Sequence, residues 1–344
     1  MIHPVDIAEF KRLRKSLPAV DVRSPGEFTV GHIPDAFNLP LFDDEERKAV
    51  GITYKQQGRE PAILKGLDLV GCKLSGFVKQ ARKIAPGRKL LLHCWRGGMR
   101  SEGMAWLLST AGFEVNVLKG GYKAYRRFNS RFWEKASKMI ILSGKTGSGK
   151  TEILHVLQHL GHQVLDLERF AHHKGSAFGA IGEVDQPNSE QFENDLAEVW
   201  QLFDFQKPIW IEDESRMIGR VFIPEILHFK MSKASVISLE MPKKLRIERL
   251  IDDYAKYPKP LLIHSIEKIS RRLGGQNMKT AVNAIGQDDF GTAIDIVLDY
   301  YDKAYCYDLT KKVKDKTFTV PVQTADAEAN AREVIDFCNK YQLI

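Results

Sequence analysis

Two short stretches of this 344-residue chain carry residue types spaced for chemistry. The first reads His93-Cys94-Trp95-Arg96-Gly97-Gly98-Met99-Arg100-Ser101. The apolar run Leu90-Leu91-Leu92 delivers a single cysteine into a glycine-bearing turn, and Met104, Leu107 and Leu108 follow at helical spacing. Successive backbone N–H groups of such a turn, backed by a helix N-terminus, point at one spot and favour negative charge there. They would stabilise a thiolate at Cys94 and equally an anionic substrate group. A buried structural cysteine at a strand end is the plainer reading of the same residue. Two arginines and two glycines crowded into one turn favour the nucleophile.

The second stretch, Gly144-Lys145-Thr146-Gly147-Ser148-Gly149-Lys150-Thr151, leaves the apolar segment Met139–Ser143 directly. It fits the Walker A pattern of Gly, four residues, Gly-Lys-Thr. Its glycines let backbone amides converge on phosphate oxygens, Lys150 supplies a point charge, and the Thr151 hydroxyl is suited to a magnesium ion. Ile209-Trp210-Ile211-Glu212-Asp213 is an apolar strand ending in acids, and Asp213 is the residue expected to face a metal or its water. An acidic strand end is also an ordinary way to leave a sheet. No motif asks for a tightly bound cofactor; magnesium at Thr151 and Asp213 is the one metal the spacing suggests.

Each turn needs a strand before it and a helix behind it, and the flanking residues supply both. Leu90–His93 reads as a strand and Arg100–Thr110 as a helix; Met139–Ser143 and Glu152–Leu160 repeat the arrangement, with Gly161 as a stop. Around the first pair lie a helical start (Val5–Leu17), strands at Ala19–Arg23, Ala36–Pro40 and Val115–Leu118, and turns at Ser24–Phe28 and Gly120–Tyr122. Phe42–Leu74, polar with charges of both signs, reads as a helical insertion. Around the second pair lie strands at Gln163–Leu167, Ile209–Asp213, Ser235–Glu240 and Phe318–Val322. The helices there are Pro242–Tyr257, His264–Leu273, Ala293–Tyr307 and Ala325–Tyr341. Alternating strands and helices predict two α/β domains with parallel sheets. Residues 1–125 form one, 126–138 a basic linker helix, and 139–344 the other, with helical additions at its C-terminal side.

The chain carries a formal charge of +7. From Lys119 to Lys138 seven basic residues, among them Lys123, Arg126, Arg127 and Arg131, face one acid, Glu134, with aromatic residues interleaved. Such a segment is either a solvated helix face or a contact for a polyanion. Cys72, Cys94, Cys306 and Cys338 show no metal or disulfide spacing, which indicates a reducing compartment. No signal pattern opens the chain and no apolar run reaches the ~18 residues of a membrane span. A cytoplasmic protein without membrane partners is the expectation.

Asp21-Val22-Arg23-Ser24-Pro25-Gly26-Glu27-Phe28, Gly31-His32-Ile33-Pro34-Asp35-Ala36, the cysteine turn and Lys119-Gly120-Gly121-Tyr122, in that order, resemble a rhodanese domain. Such domains use the cysteine to carry a chalcogen atom. Five residues separate Cys94 from Arg100, one more than in the usual sulfurtransferase loop, and His-Cys-five-Arg-Ser is also the signature of cysteine phosphatases. A rhodanese domain followed by a P-loop domain resembles the tRNA 2-selenouridine synthase family. That resemblance implies a transferase that converts wobble 2-thiouridine to 2-selenouridine through an S-geranyl intermediate, with geranyl diphosphate and selenophosphate as co-substrates. It implies Cys94 as selenium carrier in the form of a selenyl sulfide. Trp95, Arg96, Gly97, Gly98, Met99 and Arg100 would be the loop that holds the donor's phosphate, and Gly144–Thr151 would grip the diphosphate. The anticodon arm would lie on Lys123, Arg126, Arg127 and Arg131, with the 42–74 insertion as a second surface. Oligomeric state is left open. The rivals are a cysteine phosphatase or sulfurtransferase fused to a P-loop kinase or ATPase, and a non-catalytic binding protein.

Overall fold

The apolar run ahead of Cys94 is continuous rather than alternating because both faces of its sheet are covered. Leu90 and Leu92 pack into one core with Met104, Leu108 and Phe113, while Leu91 points to the other side with Phe10, Ile33 and Tyr122. In the computed structural model, which describes residues 1–135, 137–310 and 316–344, this sheet belongs to the first of two units, Met1–Phe132 and Trp133–Ile344.

The first unit holds a five-stranded parallel sheet in the order Ile2–Val5, Glu114–Leu118, Lys89–His93, Ala19–Asp21, Phe37–Asn38. The strand that delivers Cys94 is therefore the central one, enclosed on both edges. The second unit repeats the plan, with Thr317–Pro321, Ser235–Glu240, Met139–Gly144, Ile209–Glu212 and Gln163–Leu165 side by side and parallel. Again the central strand, buried along its whole length, runs into the glycine-rich turn. The Ala327–Lys340 helix closes one face of this sheet, with Val334 and Cys338 against Ile153, Leu154 and Leu157. A separate helical core gathers Leu262, Ile266, Ala281 and Ile285. No helix among the described residues is long and apolar enough to cross a membrane.

Three elements differ from the sequence reading. The N-terminus begins with a strand, Ile2–Val5, in register with Val115–Leu118; the helix behind it is only Ile7–Leu13, started by the Asp6 side chain accepting from the Glu9 N–H. A four-residue edge strand is too short to show a period. The insertion is indeed helical, as Asp44–Gln57 and Arg59–Gly71. The expected basic linker is instead divided, its residues up to Phe132 belonging to the first unit and those from Trp133 to the second. Gly120, left-handed at φ 74°, opens a helix Gly121–Ser130 whose Tyr122 and Tyr125 are fully buried with Phe10 and Leu118. The division therefore falls after Phe132 rather than near 125, and Trp133 packs on Trp200 of the second unit, ring centroids 5.4 Å apart. Ala136 of the expected linker and residues 311–315 of the expected second domain lie outside the described residues.

Candidate functional site

The Cys94 turn is shaped by a second glycine-bearing turn pressed against it. The Tyr122 N–H donates to the Cys94 carbonyl at 2.8 Å and the Lys123 N–H to the Trp95 carbonyl at 3.0 Å. Gly121, at φ 57°, makes this approach feasible: a Cβ there would stand 2.3 Å from the Cys94 carbonyl oxygen and 2.6 Å from the Gly97 nitrogen. Cys94 is buried, its Sγ 3.2 Å from Ser101 Oγ, and Ser101 in turn donates to the Gly98 carbonyl at 2.9 Å. The helix Met99–Thr110 begins at once, so the sulfur sits at a helix N-terminus, as the sequence suggests.

The charges around this turn are paired. Arg100 is held by Glu27, Nη1 to Oε2 at 2.6 Å, and Arg47 stands 3.6 Å from the same carboxylate. Burial pushes the Glu27 carboxyl up, but the Arg100 hydrogen bond and charge outweigh it and hold it below the ordinary range. Arg96 and Met99 are exposed, Trp95 is half-buried against Tyr122. Beneath the turn, the fully buried Arg23 makes a two-pronged pair with Asp21 and lies over the Tyr122 ring at 3.9 Å. For Asp21, too, burial is overcome by His93 and Arg23, and its carboxyl stays low. Burial drives His93 the other way, below its usual value.

In the second unit Lys145–Gly149 forms the turn and Lys150–His159 the helix behind it. Gly147, at φ 82°, fits under Leu250 and the Arg246 carbonyl. Lys150 Nζ donates to the Gly144 carbonyl at 3.0 Å, which folds the lysine back over its own loop. The buried Arg246 braces the loop from outside, reaching the Thr146 carbonyl at 3.2 Å and Asp302 at 2.7 Å, while Lys145 also faces Asp302. Ser148 Oγ is buried with no hydrogen-bond partner.

Thr151 and Asp213 are not drawn to each other. Thr151 Oγ1 donates to Glu168 Oε2 at 3.0 Å, whereas the Asp213 carboxylate accepts from Ser143. The acid that meets the P-loop threonine is Glu168, and it comes with company. Glu212 is fully buried, accepting from the Leu167 N–H at 2.7 Å, and Glu214 shares a hydrogen bond with Glu168. Burial first, then the neighbouring carboxylates, raise Glu212 well above the usual range and push Glu214 up to about 8; Glu168 is raised by burial against the pull of Lys150. Sequence reasoning singled out none of these three. Their signal was present as acids at or just beyond the ends of two strands, Gln163–Leu165 and Ile209–Glu212, which the fold makes neighbours. Among the described residues no three His, Cys, Asp or Glu side chains are arranged to hold a metal ion.

Beside the P-loop an apolar cavity of about 50 Å³ starts at Thr146 and continues along Phe178, Leu250, Tyr254 and Leu298. In the basic helix, Lys123, Arg127 and Arg131 are exposed and Arg126 is half-buried. The interleaved aromatics do not share that face: Tyr122, Tyr125 and Trp133 are buried, and Phe128 packs on Phe132.

Two family models divide the chain between them. Residues 6–128 match the rhodanese-like domain and residues 137–335 the tRNA 2-selenouridine synthase AAA domain. Three curated tRNA 2-selenouridine synthases are similar to it. That of Shewanella denitrificans is 37% identical, with 86% of this chain and 89% of the relative covered. That of Sulfurovum sp. is 35% identical over 94% and 95%, and that of Nitrosomonas europaea 40% over 69% and 63%.

Proposed function

The chain belongs to the tRNA 2-selenouridine synthase family, and from that premise we propose that it exchanges the sulfur of wobble 2-thiouridine for selenium in two stages, one at each glycine turn. In the first stage the P-loop holds the diphosphate of geranyl diphosphate while the thiouridine sulfur takes the geranyl group. The departing diphosphate carries the developing charge, which Lys150 and the converging loop amides offset. The observation that carries this reading is the apolar lining that starts at Thr146, inside the phosphate loop itself: it suits a hydrocarbon tail better than a purine. Ser148 Oγ is a buried donor without a partner in the same loop and fits a phosphate oxygen. A magnesium ion bound with the diphosphate would be held by the Thr151 hydroxyl and a neighbouring carboxylate, and would supply further charge neutralisation.

In the second stage selenium from selenophosphate replaces the S-geranyl group. The exchange is redox-neutral: a carbon–selenium bond forms, the carbon–sulfur bond breaks, geranylthiol leaves with a proton, and water cleaves the phosphorus–selenium bond. Alkylation matters because it converts a poor thiocarbonyl leaving group into a neutral thiol. Cys94 is the nucleophile that handles selenium, with the loop Trp95–Arg100 receiving the donor's phosphate. Carriage as a selenyl sulfide would leave the electron pair of the P–Se bond on phosphorus, release phosphite and require a two-electron reductant such as a second thiol to free the selenium from Cys94 once it has bonded to carbon, whereas transfer at the selenide level releases phosphate and needs no reductant. Phosphorus-31 NMR of the spent donor reads which form Cys94 handles. The exposed Lys123, Arg127 and Arg131 would meet the phosphates of the anticodon arm in the cytoplasm.

Mass spectrometry of wobble nucleosides, after incubation with thiolated tRNA, geranyl diphosphate and selenophosphate, tests the division of labour. Cys94→Ala is expected to accumulate S-geranyl-2-thiouridine and form no 2-selenouridine; Lys150→Ala is expected to lose the geranylated species. Normal selenation in Cys94→Ala, or loss of selenation alone in Lys150→Ala, would refute the assignment.

A further inference from the structure

Against the Cys94 turn, within the first unit, lies an open apolar cavity of about 620 Å³, in the range of small-molecule sites (roughly 300–1,000 Å³). Its walls are the two insertion helices, Asp44–Gln57 and Arg59–Gly71, and the helix Met99–Thr110 that begins at the turn. Leu67 and Trp106, each 62% exposed, line it, a costly surface to leave in water. Its floor includes Met104, which shares a buried core with Cys94, while Met99 and Arg100 belong to both the turn and the cavity wall. Arg47, Lys55 and Arg59 add positive charge to an otherwise apolar lining.

We propose that this cavity receives the isoprenyl chain of S-geranyl-2-thiouridine during the selenium stage, with the basic side chains meeting the RNA phosphates on either side of the modified base. The inference rests on the two-stage reading and adds a second hydrocarbon site to it. The leaving group of that stage is a ten-carbon thiol, so a polar turn alone would gain nothing from alkylation as a recognition feature. An apolar wall beside Cys94 does: burying the chain selects the alkylated base over 2-thiouridine and gives the departing thiol an apolar place to go. An apolar slot edged by arginine and lysine complements a hydrocarbon attached to a polyanion.

Gly71 and Gly103 line the cavity, and a Cβ added at either meets nothing within 4 Å. Gly71→Leu with Gly103→Leu therefore fills the space without a clash, and leucine at 103 favours its helix; circular dichroism verifies the fold. The substrates are anticodon stem-loop RNAs bearing S-geranyl- or S-methyl-2-thiouridine, given to the full-length protein with selenophosphate. The wild type is expected to prefer the S-geranyl RNA, and the double variant to lose that preference by at least about tenfold in kcat/KM. An unchanged preference would overturn the cavity, as would an equal loss on both RNAs. If the wild type converts neither RNA, the two-stage reading has failed, and the cavity is judged by binding alone. Titration with the S-geranyl-2-thiouridine nucleoside should then quench fluorescence in the wild type and not in Trp106→Phe. No quenching, or the same quenching in both, would overturn the proposal.

Discussion

The Cys94 turn and the P-loop are built alike but differ in the ionisable groups behind them. Each leaves the middle strand of a five-stranded parallel sheet, runs through glycines at positive φ and ends in a helix N-terminus. Around Cys94 the carboxylates are matched: buried Asp21 by Arg23 and half-buried Glu27 by Arg100, both held low. Around Lys150 the carboxyls outnumber the cations that reach them, and Glu168, Glu212 and Glu214 are all raised. The backbone cradle is thus a common part, and the ionisable groups behind it decide what it can hold. A turn with satisfied charges presents a thiol, while a loop with surplus protonated acids presents groups that gain from an incoming cation or from losing protons.

The comparison breaks first at the glycines. Gly121→Ala would drive a Cβ into the Cys94 carbonyl and strain a left-handed residue, so a loss of about 3 kcal/mol or more in the first unit's stability is expected in denaturant titrations. Gly147→Ala meets mainly the yielding Leu250 side chain, with Arg246 O at 3.1 Å, and should cost about 1–2 kcal/mol, less than its counterpart. The reverse order would show that the P-loop is the more rigid of the two.

Acid and base should separate the units. His93 is held below and Asp21 below their ordinary values, so in the first unit the unfolded chain binds more protons and stability falls as pH drops through 6.5 and further below 4. Glu214 is raised from 4.5 to about 8, so in the second unit the folded chain binds the extra proton. Its contribution is complete below pH 4.5 and lost as pH rises to 8, on the order of 5 kcal/mol. Calorimetry across pH 5–9 should show the second unit's transition moving down with pH in the wild type and much less in Glu214→Gln.

Smaller effects sharpen the picture. Arg127→Ala should weaken tRNA binding about threefold and reduce the slope of log affinity against log salt by about one, measured by filter binding; an unchanged slope would remove that helix from the interface. Glu27→Gln releases Arg100 from its partner and should tighten inorganic phosphate binding at the Cys94 turn by about two- to threefold, read by calorimetry. No gain would mean that Arg100 serves the turn only as a brace.

Both cradles were legible in the amino-acid order, because what they need is local. A strand, glycines at left-handed positions and consecutive amides ahead of a helix are specified within a single short segment. The parallel α/β plan followed from the same strands and helices, and so did Cys94, Lys150 and Thr151. What surrounds the cradles was decided by the tertiary structure. Glu27 and Arg100 are 73 positions apart and meet only because the strands that precede their helices, Ala19–Asp21 and Lys89–His93, pair side by side. Glu168 and Glu214 converge on Lys150 because two strands distant in sequence became neighbours, and the insertion helices became the wall of a cavity only by packing beside Met99–Thr110. The first part of the basic segment, read as a linker, was claimed by the first unit as the end of a helix anchored by two tyrosines whose burial no periodicity announced. Backbone conformation is a property of neighbours along the chain, whereas the dielectric and charge at a site belong to neighbours in space.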